Sequence, residues 1–169
     1  MSKKEVNNND DAAKAGSSKH LEKPRDSEYN LPLQLTDFTR DPLRTFERGN
    51  LLGTGGFAKV FLIKEDSSRK SFANKVISKA MFKRRNSAKQ KVEREISIHR
   101  KMKHVNVITF HSFFEDSNYV HILLELAPQK TLLHVNKYRK LVTECEARYF
   151  VKQIMAPVIY TASRCCTGI

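Results

Sequence analysis

Apolar and polar positions alternate along this chain in a way that divides it into elements. Leu51-Leu52 precedes a glycine-rich stretch, Gly53-Thr54-Gly55-Gly56, and Val60-Phe61-Leu62-Ile63 follows it, which predicts a strand, a tight turn and a second antiparallel strand. Ser71–Ile77 predicts a third strand, with Ala73, Lys75 and Ile77 on one face and Phe72, Asn74 and Val76 on the other. Ser87-Ala88-Lys89-Gln90 matches a capping box, and Val92, Ile96 and His99 behind it recur at helical spacing. Glu95 falls on that stripe. Val105–Phe114 and Tyr119–Leu126, separated by a polar turn, predict two more strands. Ala127-Pro128-Gln129 breaks the pattern, Thr131–Lys140 predicts a short helix, and Thr143-Glu144-Cys145-Glu146 is a second capping box that opens a helix through Ile154. The elements sum to a five-stranded antiparallel sheet with one helix, followed by two further helices.

The N-terminal part has no such pattern. Residues 1 to about 30 are rich in Asn, Asp, Ser and Lys with almost no large apolar side chain, and are expected to be disordered. Tyr29–Arg44, with Leu31, Leu33, Leu35 and Phe38 among prolines, is expected to be a connector at most.

Composition narrows the class. At 169 residues and 40% hydrophobic content, one domain with a tail is expected, or a piece of something larger. No apolar run approaches the length of a membrane span, and the first residues do not form a signal-peptide core. The three cysteines, all near the end, define neither a disulfide framework nor a zinc spacing, which fits a reducing, intracellular setting. The net charge of +13 belongs wholly to Thr45–Ile169, since Met1–Arg44 carries eight basic and eight acidic residues. Much of it lies in Lys79–Lys103. Aromatic platforms and a recognisable DNA-binding pattern are missing there, which argues for a solvated face or a dock for an acidic partner over nucleic acid.

Two features carry chemistry. Glycines at the turn let backbone N–H groups approach an anion with no Cβ in the way, and a nucleotide polyphosphate is the natural occupant. Lys75 is a cation in mid-strand, where it can either guard an edge or reach those phosphates. A carboxylate on a core-facing helical stripe requires a partner, and Lys75 is the obvious one for Glu95, with Lys91 or Arg100 the alternatives.

These motifs, Gly-x-Gly-Gly-Phe-Ala-Lys-Val, Phe-Ala-x-Lys, Glu95-Ile96-x-Ile98-His99, Phe110-His111-x-Phe113-Phe114-Glu115-Asp116 and Thr143-Glu144-x-Glu146-Ala147-Arg148-Tyr149-Phe150, stand in the order and spacing of a protein kinase. Over about Phe46–Ile154 the chain resembles the catalytic domain of eukaryotic Ser/Thr kinases, specifically the polo-like kinases. The resemblance implies an α+β fold with a kinase-like N-lobe over 45–127. Residues 128–156 become the hinge and first C-lobe helices, 1–44 a tail and connector, and 157–169 a tail unlike the family. It implies that Gly53, Gly55, Gly56 and Ala58 cover the phosphates of ATP, with Lys75 and Glu95 as the supporting ion pair. It further implies that Leu52, Val60 and Ala73 line the adenine pocket, that Leu124 is the gatekeeper, and that Glu125 and Ala127 bond the adenine edge. Nucleus, cytoplasm, centrosome or spindle is implied as location.

The departures matter as much. The family's catalytic aspartate, magnesium-binding asparagine and D-F-G aspartate all lie beyond the helix that starts at Thr143, so Mg2+ ligands are missing from this stretch and ATP should bind weakly. Asp37-Phe38-Thr39 precedes the glycine turn and lacks the glycine of D-F-G. Pro157 is expected to interrupt the helix, after which the residues match no kinase element. The apolar residues Leu132, Leu133, Tyr149, Phe150 and Ile154 are expected to be partly exposed. Three readings stay open: an ATP lobe truncated before its catalytic loop, a non-catalytic protein that docks on a full-length relative, and an active kinase whose true C-terminus differs.

Overall fold

The computed structural model describes residues 29–166 apart from 85, 130 and 140. Six strands form one antiparallel sheet: β1 (Gln34–Asp37), β2 (Arg44–Thr54), β3 (Ala58–Glu65), β4 (Ser71–Ser78), β5 (Phe110–Glu115) and β6 (Tyr119–Glu125), in the order β1-β2-β3-β4-β6-β5. Between β4 and β5 lie α1 (Ala80–Arg84) and α2 (Asn86–His99); α3 (Leu132–Arg139) and α4 (Glu144–Cys166) follow the sheet. The five strands expected from the pattern are present. The sixth is new: β1 comes from the stretch read as a connector.

Register explains the division of the sheet into two faces. Val60 pairs with Lys75 and Lys75 with Ile122, while Phe61 pairs with Asn74 and Asn74 with Leu123. Directly opposed residues share a face, so the alternation read in β4 holds. One face, called outer here, carries Phe46, Phe61, Ile63, Phe72, Val76, Phe114 and Leu123, all buried. What buries them is the N-terminal segment, which adds Tyr29, Leu31 and Leu35 to the same cluster. The connector is thus a core element: Leu31 and Leu35 lie inside because the outer face would otherwise be apolar and wet, while Leu33 between them is 65% exposed. The inner face carries a smaller cluster of Ala58, Ile77, Val120 and Ile122, closed by Ile96 of α2.

Three local expectations are corrected. Strand β5 starts at Phe110, not Val105: the Val107 N–H donates to the His104 carbonyl, closing a turn that cannot pair with β6, and Val105 is 93% exposed. Ser87 lies inside the first turn of α2 rather than capping it. Helix α4 runs through Pro157 to Cys166 without a break. Proline leaves one carbonyl of the preceding turn without its N–H partner, and on a helix as exposed as this one water can take that carbonyl.

The second capping box forms as read. Glu146 N–H donates to Thr143 Oγ1 (3.3 Å) and Thr143 N–H to Glu146 Oε2 (3.1 Å), the reciprocal pair that starts α4. The exposure expected beyond the hinge is also present, with Leu133 at 74% and Tyr149 at 62%. The expectation of disorder over residues 1–28 lies outside the described residues.

Candidate functional site

The glycine turn sits between β2 and β3. Gly53 pairs with Val60 and Thr54 with Lys59, and the Gly55 N–H donates to the Ala58 carbonyl (2.8 Å) to close it. None of the three glycines needs a left-handed backbone, and a Cβ at Gly53 or Gly56 would meet no atom of the described residues within 4 Å. Gly49, by contrast, is held to its size by the fold, since a Cβ there would lie 3.2 Å from the Leu62 side chain. Among the described residues, packing therefore does not require glycine at 53 and 56.

Lys75 reaches from the middle of β4 on the inner face, and its Nζ is ion-paired and hydrogen-bonded to Glu95 Oε1 of α2. The pairing expected from sequence is present, and its setting differs from the one expected. Glu95 does not lie on the buried stripe: its side chain is 47% exposed, against 26% for Lys75, and among the described side chains of α2 only Ile96 is buried. The helix is rotated so that Val92 and Ile96 face the sheet while Glu95 stands at the rim, where water lowers the cost of its charge.

A cavity of about 380 Å³ opens beneath the turn, lined by Gly55, Gly56, Ala58, Lys75, Ile77 and Glu95 together with residues of α1 and α2. Five of the sequence-predicted residues thus meet at one place. The other seven do not line it. Val60, Ala73 and Leu124 are half-buried further along the inner face, with Ala73 opposite Leu124; Leu52 and Gly53 lie up the hairpin; Glu125 and Ala127 are exposed at the end of β6. Glu125 is tied to the loop before β5: its N–H donates to the Thr109 carbonyl (2.9 Å), and its carboxylate accepts from Thr109 N–H (2.9 Å) and Oγ1 (2.8 Å). The two bonds to its carboxylate, that from the Thr109 N–H first, hold its pKa below the ordinary 4.5.

Lys91 also lines the cavity. It precedes Glu95 by four residues, one helical turn, and that spacing was the signal available for it. Among the described residues no group of three or more His, Cys, Asp or Glu could hold a metal ion. No helix among them is long and apolar enough to cross a membrane.

The protein kinase domain family matches residues 46–167. The chain belongs to the protein kinase family. Its place there is among the polo-like serine/threonine kinases. It is 38% identical over 138 residues to serine/threonine-protein kinase polo of Drosophila melanogaster, which covers 82% of this chain and 23% of that protein. Identity to serine/threonine-protein kinase PLK1 of Xenopus laevis is 43% over 120 residues, 71% of this chain and 20% of the relative. For cell cycle serine/threonine-protein kinase CDC5/MSD2 of Saccharomyces cerevisiae it is 43% over 121 residues, 72% and 17%. The kinase chain therefore spans about a fifth of the length of these relatives. The family match, like α4, continues past Pro157, so the break expected there is not a structural one.

Proposed function

We propose that residues 45–127 of this polo-like kinase chain form its ATP-binding lobe. The observation that carries the reading is the cavity wall: the Lys75 amine, held by Glu95, faces the backbone of Gly55 and Gly56 across a space the protein leaves open. The chemistry of the set fits a polyphosphate, which a fixed cation and side-chain-free N–H groups both attract. ATP, when bound, supplies the phosphoryl group. The chain's own residues have three tasks. Gly55 and Gly56 approach the phosphates through their backbones. Glu95 orients the Lys75 amine instead of leaving it to wave in water. Val60, Ala73 and Leu124, on the same face, offer an apolar strip for the base, and Leu52, Gly53, Glu125 and Ala127 are assigned to its edges.

The family uses Mg2+ with ATP, and neither a His-Arg-Asp run nor a D-F-G run occurs among these 169 residues. As a polypeptide on its own this chain is therefore proposed to bind nucleotide weakly and to transfer no phosphate. Titration with a fluorescent ATP analogue checks the first part, with Lys75→Met as the control. Wild type should bind at least tenfold more tightly, the worth of a charge-assisted contact of about 1.5–3 kcal/mol. Equal binding by the two proteins sinks the reading.

One observation favours docking as a second role. Leu132, Leu133, Val142, Phe150, Val151 and Ile154 line a groove of about 420 Å³ between α3 and α4, and most of them are exposed. A surface of that kind suits a protein partner, a full-length kinase relative among them. Pull-down of such a relative by wild type, lost in Leu133→Asp, is the expected outcome.

A further inference from the structure

The segment that buries the outer face also reaches the glycine turn from behind. Tyr29 is 9% exposed. Its ring stacks on Tyr119, with centroids 5.8 Å apart and planes 19° from parallel, and the Lys59 amine lies 5.0 Å from its centroid. Its hydroxyl donates to the Phe57 carbonyl at 3.2 Å. Phe57 and Lys59 flank Ala58 on the arm that descends from the turn. Ala58 lines the cavity on the inner face, while Lys59 is buried on the outer one. One aromatic side chain from outside the hairpin thus meets that arm at two points, the Phe57 carbonyl and the Lys59 amine. Among the described residues no atom comes within 4 Å of a Cβ built at Gly53 or Gly56 of the tip.

We propose that Tyr29 is a positioning residue for the glycine turn: by holding the Phe57 carbonyl it fixes the height of Gly55 and Gly56 over the Lys75–Glu95 pair. A loop already ordered has less freedom to lose when a ligand arrives, so the tether raises affinity without touching the ligand. The affinity part rests on the ATP-lobe reading above; the tether does not.

Tyr29→Phe removes the hydroxyl and keeps the ring stack. Hydrogen exchange of the amides between Thr54 and Lys59 in the full chain should quicken about two- to tenfold, the factor carried by one neutral hydrogen bond. Exchange in β4 and β6 should quicken by no more than that factor, and the melting temperature should fall by no more than about 10 °C, the shift that loss of one such bond allows. The fluorescent ATP analogue should bind less tightly by up to the same factor. Unchanged exchange at the turn, or exchange that quickens more in β4 and β6 than at the turn, overturns the tether. Faster exchange at the turn with undiminished nucleotide affinity overturns the positioning role. If wild type itself binds no analogue, the ATP reading falls, and the exchange measurement still decides whether Tyr29 holds the turn.

Discussion

The two faces of one sheet are built from the same strands and treat their polar residues in opposite ways. On the outer face Asn74 and His121 are completely buried and bonded to each other (3.1 Å), and His121 bonds onward to Asp116 (3.0 Å). A neutral imidazole with its proton on Nε2 satisfies both contacts, accepting at Nδ1 from the Asn74 amide and donating to the Asp116 carboxylate. On the inner face Lys75 and Glu95 are paired where solvent still reaches them, beside a cavity. Where water is shut out, the Asn74 amide nitrogen and both His121 ring nitrogens are tied into structure, and only Asn74 Oδ1 of that group is left without a bond. Where it enters, the charged pair stays accessible beside the cavity.

The contrast is sharpest in the apolar cores. Phe46 is fully buried on the outer face, stacked on Phe114 at 5.9 Å and crowned by the Arg44 guanidinium at 5.0 Å. Phe46→Ala should cost about 3–5 kcal/mol through the cavity it leaves. In a lobe of this size that is a large part of the stability, and urea titration should show the midpoint collapse. Val92, half-buried on α2, is the inner counterpart, and Val92→Ala should cost much less. Equal losses would mean that the outer face is not the structural one.

An intermediate effect is expected from pH. Burial pushes the His121 pKa below its ordinary 6.5, with Asp116 only partly opposing that shift. The unfolded chain then takes up a proton at His121 before the folded one does. Stability from this group is therefore complete above about pH 6.5 and falls as pH drops through the depressed folded value. Melting temperature should decline from pH 7 towards pH 5, and His121→Gln should flatten that decline. The carboxylates act lower down. Burial raises the pKa of Asp116, but bonds from His121 and the Asn118 and Tyr119 amides outweigh it, and Glu65 is likewise lowered by Ser68 and Arg44 against burial. Their contribution is lost only as pH falls below their ordinary values of 3.8 and 4.5. A slope confined to that lower range would remove His121 from the account.

The inner face was the more legible of the two. Glycine spacing, a lysine in mid-strand and a glutamate on a helix announce themselves because their residue types are wrong for plain packing. The outer face hid its main device. Leu31 and Leu35 stand among prolines and polar residues, and nothing local says that they complete a sheet whose nearest partner, Phe46, lies beyond a turn. The inward position after Leu35 is even an aspartate. Asp37 is fully buried, with one carboxylate oxygen accepting from both the N–H (2.9 Å) and the hydroxyl (2.5 Å) of Thr39 and the other left without a hydrogen bond, an arrangement that a polarity scale reads as surface. The burial assigned to Glu95 failed for a related reason. A spacing of three or four residues puts side chains on one side of a helix, but the stripe is wide, and its edge is as wet as its centre is dry.

The smallest expected stability effect belongs to the pair on which the functional reading rests. Glu95→Gln removes one charge from an ion pair that is partly exposed on both sides, and such pairs contribute about 0–1 kcal/mol. The urea midpoint of Glu95→Gln should stay close to wild type, well above that of Phe46→Ala. Nucleotide affinity should fall clearly, because the lysine amine is no longer held over the cavity. A variant that loses stability in proportion to affinity would make the pair a structural strut that happens to line a cavity. Affinity lost with stability kept is the signature of a charge placed for a ligand, and it is what separates this face of the sheet from the one behind it.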